Sequence, residues 1–434
     1  MKLRILSFIL SITMLASVFV ACQSKEDEGK DTENEPVEYD GLVIDEEYVI
    51  VRGDLADKTT VKCASYLRDE INAAGNINIK LTTDFYKKPE DIAEKEILVG
   101  DVKRDLEFDR TTLKEGEYYV GVEGSKVIID AYDAETLHYA IRAFAEKWLT
   151  KEMGIHEDGT LVINETMCAN TMGLELANKD SILILSQNLR SGNDGNGNDI
   201  VDRQPRFQQL VMEYDPDIIG TQEITKSWYD YLNSGWFKKE YGIVGCSRNG
   251  RTATSGEWNT IHYKLDRFEL LDSDTFWLSD TPSKASKVES SSLNRICTWA
   301  RLKDKQTGQI ILMANTHLDH VSSEAREDQS VILLAQLKSI AGNAPLYITG
   351  DYNFEPNSEP YKIINKQLLD AHDEAIVDKS TTQYTFHSYG NPSKEIDFCF
   401  YNDKSTPVTY YIVNDDYNGY VSDHYGVLIK FVIN

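Results

Sequence analysis

The apolar positions of the chain change period several times, and each change marks an element. Tyr48 to Arg52 (YVIVR) has the density of a strand. From Thr59 to Ala74, Val61, Leu67 and Ile71 recur at helical spacing, with Asp57 placed to cap that helix. Ile77 to Thr82 and Ile97 to Gly100 read as two further strands. Tyr118 to Val122 and Lys126 to Ala131 flank Glu123-Gly124-Ser125, a glycine turn of hairpin type. Leu137, Ile141, Phe144 and Trp148 then share one face of a helix from Ala134 to Leu149. Residues 166–181 are mixed and polar and mark a boundary. Beyond them short apolar strands alternate with long loops and a few helices.

The N-terminus changes the picture of where the protein works. Lys2 and Arg4 precede an apolar run from Ile5 to Ala21, the pattern of an export signal. Ala21-Cys22 resembles a bacterial lipobox, although Phe19 stands where that motif usually has Leu. The resemblance implies acylation of Cys22 and a lipid anchor on the extracytoplasmic face of the cell membrane. An ordinary signal peptide or a single membrane anchor is the alternative. Residues 23–40 are acidic and lack an apolar cluster, so they read as a solvated spacer after the signal segment 1–22.

Composition narrows the partners. The net charge of −26 over 434 residues argues against tight hold on long nucleic acid by a basic surface, and leaves small or metal-bridged phosphates open. Besides Cys22, Cys63, Cys168, Cys246, Cys297 and Cys399 are widely spaced with no C-x-x-C pair. Most sit in apolar stretches and read as buried free thiols.

The candidate chemistry sits where strands end. Ser181 to Ser186 leads to Gln187-Asn188, and Asp217 to Gly220 leads to Thr221-Gln222-Glu223. Ile310 to Ala314 leads to Asn315-Thr316-His317-Leu318-Asp319-His320, and Leu346 to Thr349 leads to Gly350-Asp351-Tyr352-Asn353. Ile396-Asp397-Phe398 lies within a further strand, and Ser422-Asp423-His424 precedes the last one. Strand ends are where a sheet presents polar groups to a crevice.

In this order, QN, GTQE, NTHLDH, GDYN, ID and SDH resemble the endonuclease/exonuclease/phosphatase superfamily over residues 180–434. Phe276 to Ser279 and Arg295 to Trp299 further resemble its bacterial and deadenylase-like branch. The resemblance implies an α/β fold, a four-layer sandwich with two packed mixed sheets, and a metal-dependent phosphoester hydrolase. It implies that Glu223, Asn188 and Asp423 serve Mg²⁺ or Mn²⁺, and that Asp351 activates water. Asn353 then fixes that water and the phosphate, His317 and His424 face the phosphate, and Asp397 orients His424. An acid two residues after the first Asn is replaced here by Arg190, which puts a two-metal scheme in question. Arg190, Arg295 and Asn188 are candidate phosphate contacts, with Arg295 equally readable as a packing residue.

Residues 41–166 resemble the small α/β domain that precedes the catalytic barrel in hexosaminidases and α-glucuronidases. No barrel follows here, so the resemblance implies an accessory module, either packing alone or touching glycan. His138, His156 and His372 show no partner pattern and read as solvated. His320 reads equally as a surface residue, and His387 falls in a stretch where the superfamily often has a substrate-side loop. Ser191 to Asn198 reads as a flexible loop, plain or gating. Three functions remain: hydrolysis of a small or exposed phosphoester, surface nuclease action on DNA or RNA, and an inactive glycan-binding protein.

Overall fold

The computed structural model describes residue 39 and residues 41–151, 154–163 and 181–434. The signal segment, Cys22, Cys168 and the acidic spacer apart from Tyr39 lie outside the described residues. Among the described residues no helix is long and apolar enough to cross a membrane.

Residues 41–163 build one helix-on-sheet layer pair. Its elements are β1 (Leu42–Ile44), β2 (Val49–Arg52), α1 (Lys58–Gly75), β3 (Lys80–Thr83), β4 (Glu96–Val99), β5 (Tyr118–Glu123), β6 (Lys126–Ala131), α2 (Ala134–Trp148) and β7 (Leu161–Ile163). The sheet order is β3-β2-β4-β6-β5, parallel except for the β5–β6 hairpin, while β1 pairs with β7. Leu67 and Ile71 of α1 and Leu137, Ile141 and Phe144 of α2 pack with Ile50, Ile97 and Ile129 in one buried cluster. Asp57 and Asp133 cap the two helices by accepting from the Thr60 and Thr136 amides. The third strand starts later than its apolar run suggests. Asn76 takes the left-handed conformation to end α1, and the Ile79 amide donates to the Asn72 side chain, so pairing begins at Lys80.

Residues 181–434 build two face-to-face sheets. The strands are β8 (Ser181–Asn188), β9 (Ile218–Ile224), β10 (Tyr241–Val244), β11 (Trp258–Lys264), β12 (Phe268–Trp277), β13 (Ile296–Asp304) and β14 (Ile310–His317). They continue with β15 (Leu346–Asp351), β16 (Leu369–Asp370), β17 (Val377–Asp378), β18 (Asp397–Tyr401), β19 (Ser405–Val413) and β20 (Gly426–Ile433). One sheet runs β10-β11-β9-β8-β20-β19-β17 and the other β12-β13-β14-β15-β18-β16, each mixing parallel and antiparallel pairs. Ile184, Ile218, Ile429 and Phe431 of the first meet Met313, Tyr347 and Cys399 of the second in the central core. Helix α3 (Ile200–Tyr214) covers the first sheet through Phe207 and Leu210. Helix α4 (Ser323–Ala341) covers the second through Leu333 and Leu337, which completes four layers.

The two regions are joined by charge. Glu135 of α2 accepts from Lys379 at 2.9 Å and also from Lys430 of β20. Lys62 of α1 donates to the carbonyls of Asp373 and Ala375.

Two histidines expected in solvent lie elsewhere. His138 is fully buried beside the rings of Tyr66 and Tyr139, and burial drives its pKa down to about 3, so it is a neutral core residue. His372 stacks on Tyr410 at 4.2 Å and binds Glu395 at 2.7 Å and Asp378 at 3.3 Å. Burial opposes its charged form, but those two carboxylates overcome the penalty and push the imidazole up to about 10. His156 is exposed. Of the described cysteines, Cys63, Cys297 and Cys399 are buried, Cys246 is half-buried, and all are free thiols.

Candidate active site

The strand ends that the sequence singles out converge at one edge of the sandwich. β8 ends at Asn188, β15 at Asp351 and β14 at His317, while β18 begins at Asp397 and His424 lies just before β20. Asp351 Oδ2 sits at the centre. It accepts from the Asn188 amide at 2.9 Å and lies 3.5 Å from His317 Nε2 and 3.8 Å from His424 Nε2.

The two imidazoles are held differently. His424 Nδ1 is 2.8 Å from Asp397 Oδ2, which leaves Nε2 directed toward Asp351. Burial alone would discharge His424, but pairing with Asp397 prevails and pushes it up to about 10. His317 accepts at Nε2 from the Asn353 amide at 3.0 Å, and its buried Nδ1 has no partner. Burial, with Arg295 and Arg248 nearby, holds His317 well below its ordinary value. The site therefore contains one charged and one neutral imidazole.

Carboxylates crowd the same space. Glu223 accepts from the Ser191 amide and hydroxyl, both at 2.8 Å, and from Asn188 at 3.2 Å. Burial works against its ionised form, yet the Ser191 bonds outweigh this and keep it below the usual range. Burial first, then the Asp397 charge, holds Asp351 well above the usual carboxylate range. Burial likewise raises Asp423.

Local backbone geometry sets these side chains. Arg190, Glu223 and Asn353 all have positive φ, at 53°, 58° and 53°. Such left-handed backbone in non-glycine residues is strained and recurs at functional sites. At Glu223 it accompanies a register shift between Trp258 and Thr260, a β-bulge that sets Gln222 and Glu223 against Asn259. Beneath the site, Asn315 donates across the sheets to the Thr221 and Thr260 carbonyls and accepts from Gln222 at 2.7 Å. Gly220 permits this approach, since a Cβ there would meet Thr349 Oγ1 at 2.1 Å.

Glu223, His317 and Asp351 each offer a ligand atom within 4.8 Å of the others, and Asp351, Asp397 and His424 form a second such group. His424 and Asp397 satisfy each other and His317 Nε2 accepts from Asn353, which leaves the carboxylates of Glu223 and Asp351 in the first group to face a divalent cation. Hard carboxylate oxygens suit such an ion, whose charge would relieve their mutual repulsion. The other two expected ligands, Asn188 and Asp423, lie at the rim of this space. The Asn188 amide bridges Glu223 and Asp351, and Asp423 lies 3.6 Å from Arg190, outside both groups.

The structure separates the two candidate phosphate arginines. Arg190 is committed to carboxylates, with Asp194 at 3.2 Å, Asp423 at 3.6 Å and Glu223 at 3.9 Å. Arg295 is buried, reaches His320 Nδ1 at 3.0 Å and leaves Nε without a partner beside His317. His320 is exposed, and His387 is buried, stacked on Tyr425 at 4.0 Å.

Several residues escape a sequence reading. Arg203, fully buried, donates to the carbonyls of Leu189, Arg190, Gly192 and Asn198. The glycine-rich loop expected to be flexible is thus latched to α3 by one guanidinium. The Arg248–Glu257 pair, at 2.6 Å, walls the small cavity beside Arg295 and His317. A charged residue on an amphipathic helix gives no sign of facing inward, but the loop's unpaired carbonyls require a donor.

Residues 185–424 match the sequence signature of the Endonuclease/Exonuclease/phosphatase family. Among solved structures, an endonuclease/exonuclease/phosphatase from Bacteroides vulgatus is 30% identical with a TM-score of 0.56, over 58% of this chain and 99% of that one. A mannosyl-6-phosphatase from Bacteroides thetaiotaomicron is 28% identical with a TM-score of 0.55, over 58% and 100%. Nocturnin of Drosophila melanogaster is 26% identical over 206 residues, 43% of this chain and 30% of that protein. The exoribonuclease subunit Ccr4 of the Saccharomyces cerevisiae CCR4-Not complex is 24% identical over 205 residues, 40% and 24% of the respective chains. The chain therefore spans less than a third of the length of these two curated relatives.

Proposed function

From the premise that this chain belongs to the endonuclease/exonuclease/phosphatase family and is a phosphoester hydrolase, we propose that it cleaves phosphate from a small, sugar-linked phosphoester outside the cytoplasm. One observation carries the chemical part: Asp351, the His424–Asp397 pair, the Asn353–His317 pair and Glu223 meet at a single sheet edge.

In this reading Asp351, whose proton affinity is raised by burial, takes the proton of the attacking water. His424 stays charged through Asp397 and donates from Nε2 to a non-bridging phosphoryl oxygen. Asn353 and His317 close the opposite side, and Arg295 adds positive charge behind His317. Glu223 would hold Mg²⁺ or Mn²⁺ beside these groups, and the ion would supply Lewis-acid stabilisation of phosphoryl charge. The bulge and the Arg203 latch keep the chain's own groups in position before substrate arrives.

Two facts support a sugar phosphate. The mannosyl-6-phosphatase is matched along its whole length, and the chain is strongly acidic. The Nocturnin and Ccr4 matches favour a second reading, a nuclease acting on exposed RNA or DNA. The Cys22 motif supports a lipid-anchored, extracytoplasmic location. The test is hydrolysis by the purified chain of mannose 6-phosphate, p-nitrophenyl phosphate, bis(p-nitrophenyl) phosphate, RNA, single-stranded DNA and sphingomyelin, with and without EDTA. Preference for mannose 6-phosphate upholds the proposal, and preference for a polynucleotide replaces it with the second reading. Inactivity on all of them, with folded protein and added Mg²⁺, turns the case toward an inactive binding protein.

A further inference from the structure

One structural feature that catalysis leaves unused is a crevice in the first region. It has a volume of about 450 Å³ and lies along the carboxyl ends of the parallel strands β2, β3, β4 and β6. Its walls are the segments that follow those strands: Gly53 to Asp57, Asp84, Gly100 to Lys103 and Tyr132 to Ala134. After β2 the chain turns through α1 to β3 on one side, while after β4 it proceeds to β5 and β6 on the other. The crevice therefore occupies the point where strand order reverses, the position at which open α/β sheets hold ligands. Its volume lies within the range of small-molecule sites.

The chemistry of the walls selects the class of ligand. Six aspartates line the space against one lysine and one arginine, so an anion such as a nucleotide is disfavoured despite the two helix N-termini nearby. A bare cation is poorly matched too, because the acids already have partners. Asp57 and Asp133 cap helices, Asp84 accepts the Asp54 and Lys103 amides, Lys103 pairs with Asp54 at 2.7 Å, and Arg110 pairs with Asp130 at 2.9 Å. What remains is a mixture of acceptors and donors with spare valence, among them Asp101, 78% exposed and 3.9 Å from Arg110. The rim adds apolar surface, with Tyr132 at 52% and Leu55 at 88% exposure. Alternating acceptors and donors beside an aromatic face suit a neutral molecule whose hydroxyls ring an apolar C–H surface.

We propose that this crevice is a binding site for a neutral saccharide, separate from the hydrolytic site. The proposal does not rest on the sugar-phosphate reading, because it concerns binding at a different sheet.

The test uses the full chain on an array of neutral mannose-, N-acetylglucosamine- and galactose-based oligosaccharides, with heparin fragments and ATP as anionic arms. Hits are followed by titration calorimetry on wild type, Tyr132→Ala, Asp101→Asn and His424→Ala. The expected result is binding of a neutral oligosaccharide that weakens tenfold or more in Tyr132→Ala and Asp101→Asn. It stays unchanged in His424→Ala. Both crevice variants should hydrolyse p-nitrophenyl phosphate at the wild-type rate and keep the wild-type circular dichroism spectrum and urea unfolding curve, which shows that both regions fold. The proposal is overturned if no neutral saccharide binds, if heparin or ATP binds in preference, or if the crevice variants bind as wild type does.

Discussion

Two crevices of this molecule are rich in carboxylates, and they treat those carboxylates in opposite ways. In the five-stranded sheet nearly every acid is balanced on the spot by a helix amide, a loop amide or a paired cation. At the edge of the sandwich, Asp351, Asp397, Glu223 and Asp423 crowd together around one charged imidazole and Arg190. The first arrangement suits recognition by shape and hydrogen bonding. The second perturbs proton affinities and has a use for added positive charge, which is what proton transfer to and from a phosphoester needs.

The contrast breaks most visibly at its centre. Asp351→Asn and His424→Ala should each lower kcat on the order of 10²–10⁴-fold in initial-rate assays on bis(p-nitrophenyl) phosphate, with circular dichroism unchanged. A loss under threefold in either would mean that the crowded acids are structural. Next in size, Glu223→Gln should raise the Mg²⁺ concentration for half-maximal rate by roughly tenfold or more. EDTA should silence wild type, with recovery on adding Mg²⁺ or Mn²⁺.

Arg203→Met removes the loop latch and takes the guanidinium donor from the Leu189, Gly192 and Asn198 carbonyls, while the Arg190 carbonyl keeps Trp228. Urea unfolding should show a loss of about 1–3 kcal/mol, the cost of unsatisfied buried polar groups. Activity should fall with it, because Ser191, which holds Glu223, belongs to the latched segment. An unchanged unfolding midpoint would show that water replaces the guanidinium.

A pH-dependent effect belongs to the seam between the regions. His372 has an unfolded pKa of about 6.5 and a folded value pushed up to about 10 through Glu395 and Asp378. A raised histidine pKa stabilises fully below the unfolded value, and that contribution fades as pH climbs toward the folded one. Wild type should therefore lose stability relative to His372→Asn between about pH 6.5 and pH 10 in urea melts. Parallel pH curves for the two proteins would show that the ion pairs do not hold in solution.

Much of the sandwich was legible because polar groups interrupt apolar strands. Gln187-Asn188, Glu223, His317 and Asp351 stand at or near the ends of runs that must be buried, so their polarity is conspicuous. The geometry among them was not legible. Nothing in the spelling of GTQE announces a bulge, and nothing separates Arg203 from a solvated arginine until the carbonyls it satisfies are in view. The same blindness misplaced His138 and His372, whose partners come from residues distant in sequence or type, such as Tyr66 and Glu395. Asn188 and Asp423 fell near the site as expected, and the bond of Asn188 to Asp351 and the approach of Asp423 to Arg190 came only with the tertiary fold.

The bulge in β9 works as a phase shift in a two-beat rhythm. Side chains along a strand alternate between faces, and one extra residue opposite Asn259 resets the beat at Glu223. Which way that carboxylate points is thus decided by counting. Swapping one β-branched residue for another upstream leaves the count intact, whereas deleting a single residue between Ile218 and Gln222 inverts it. For this strand, length is under tighter constraint than composition.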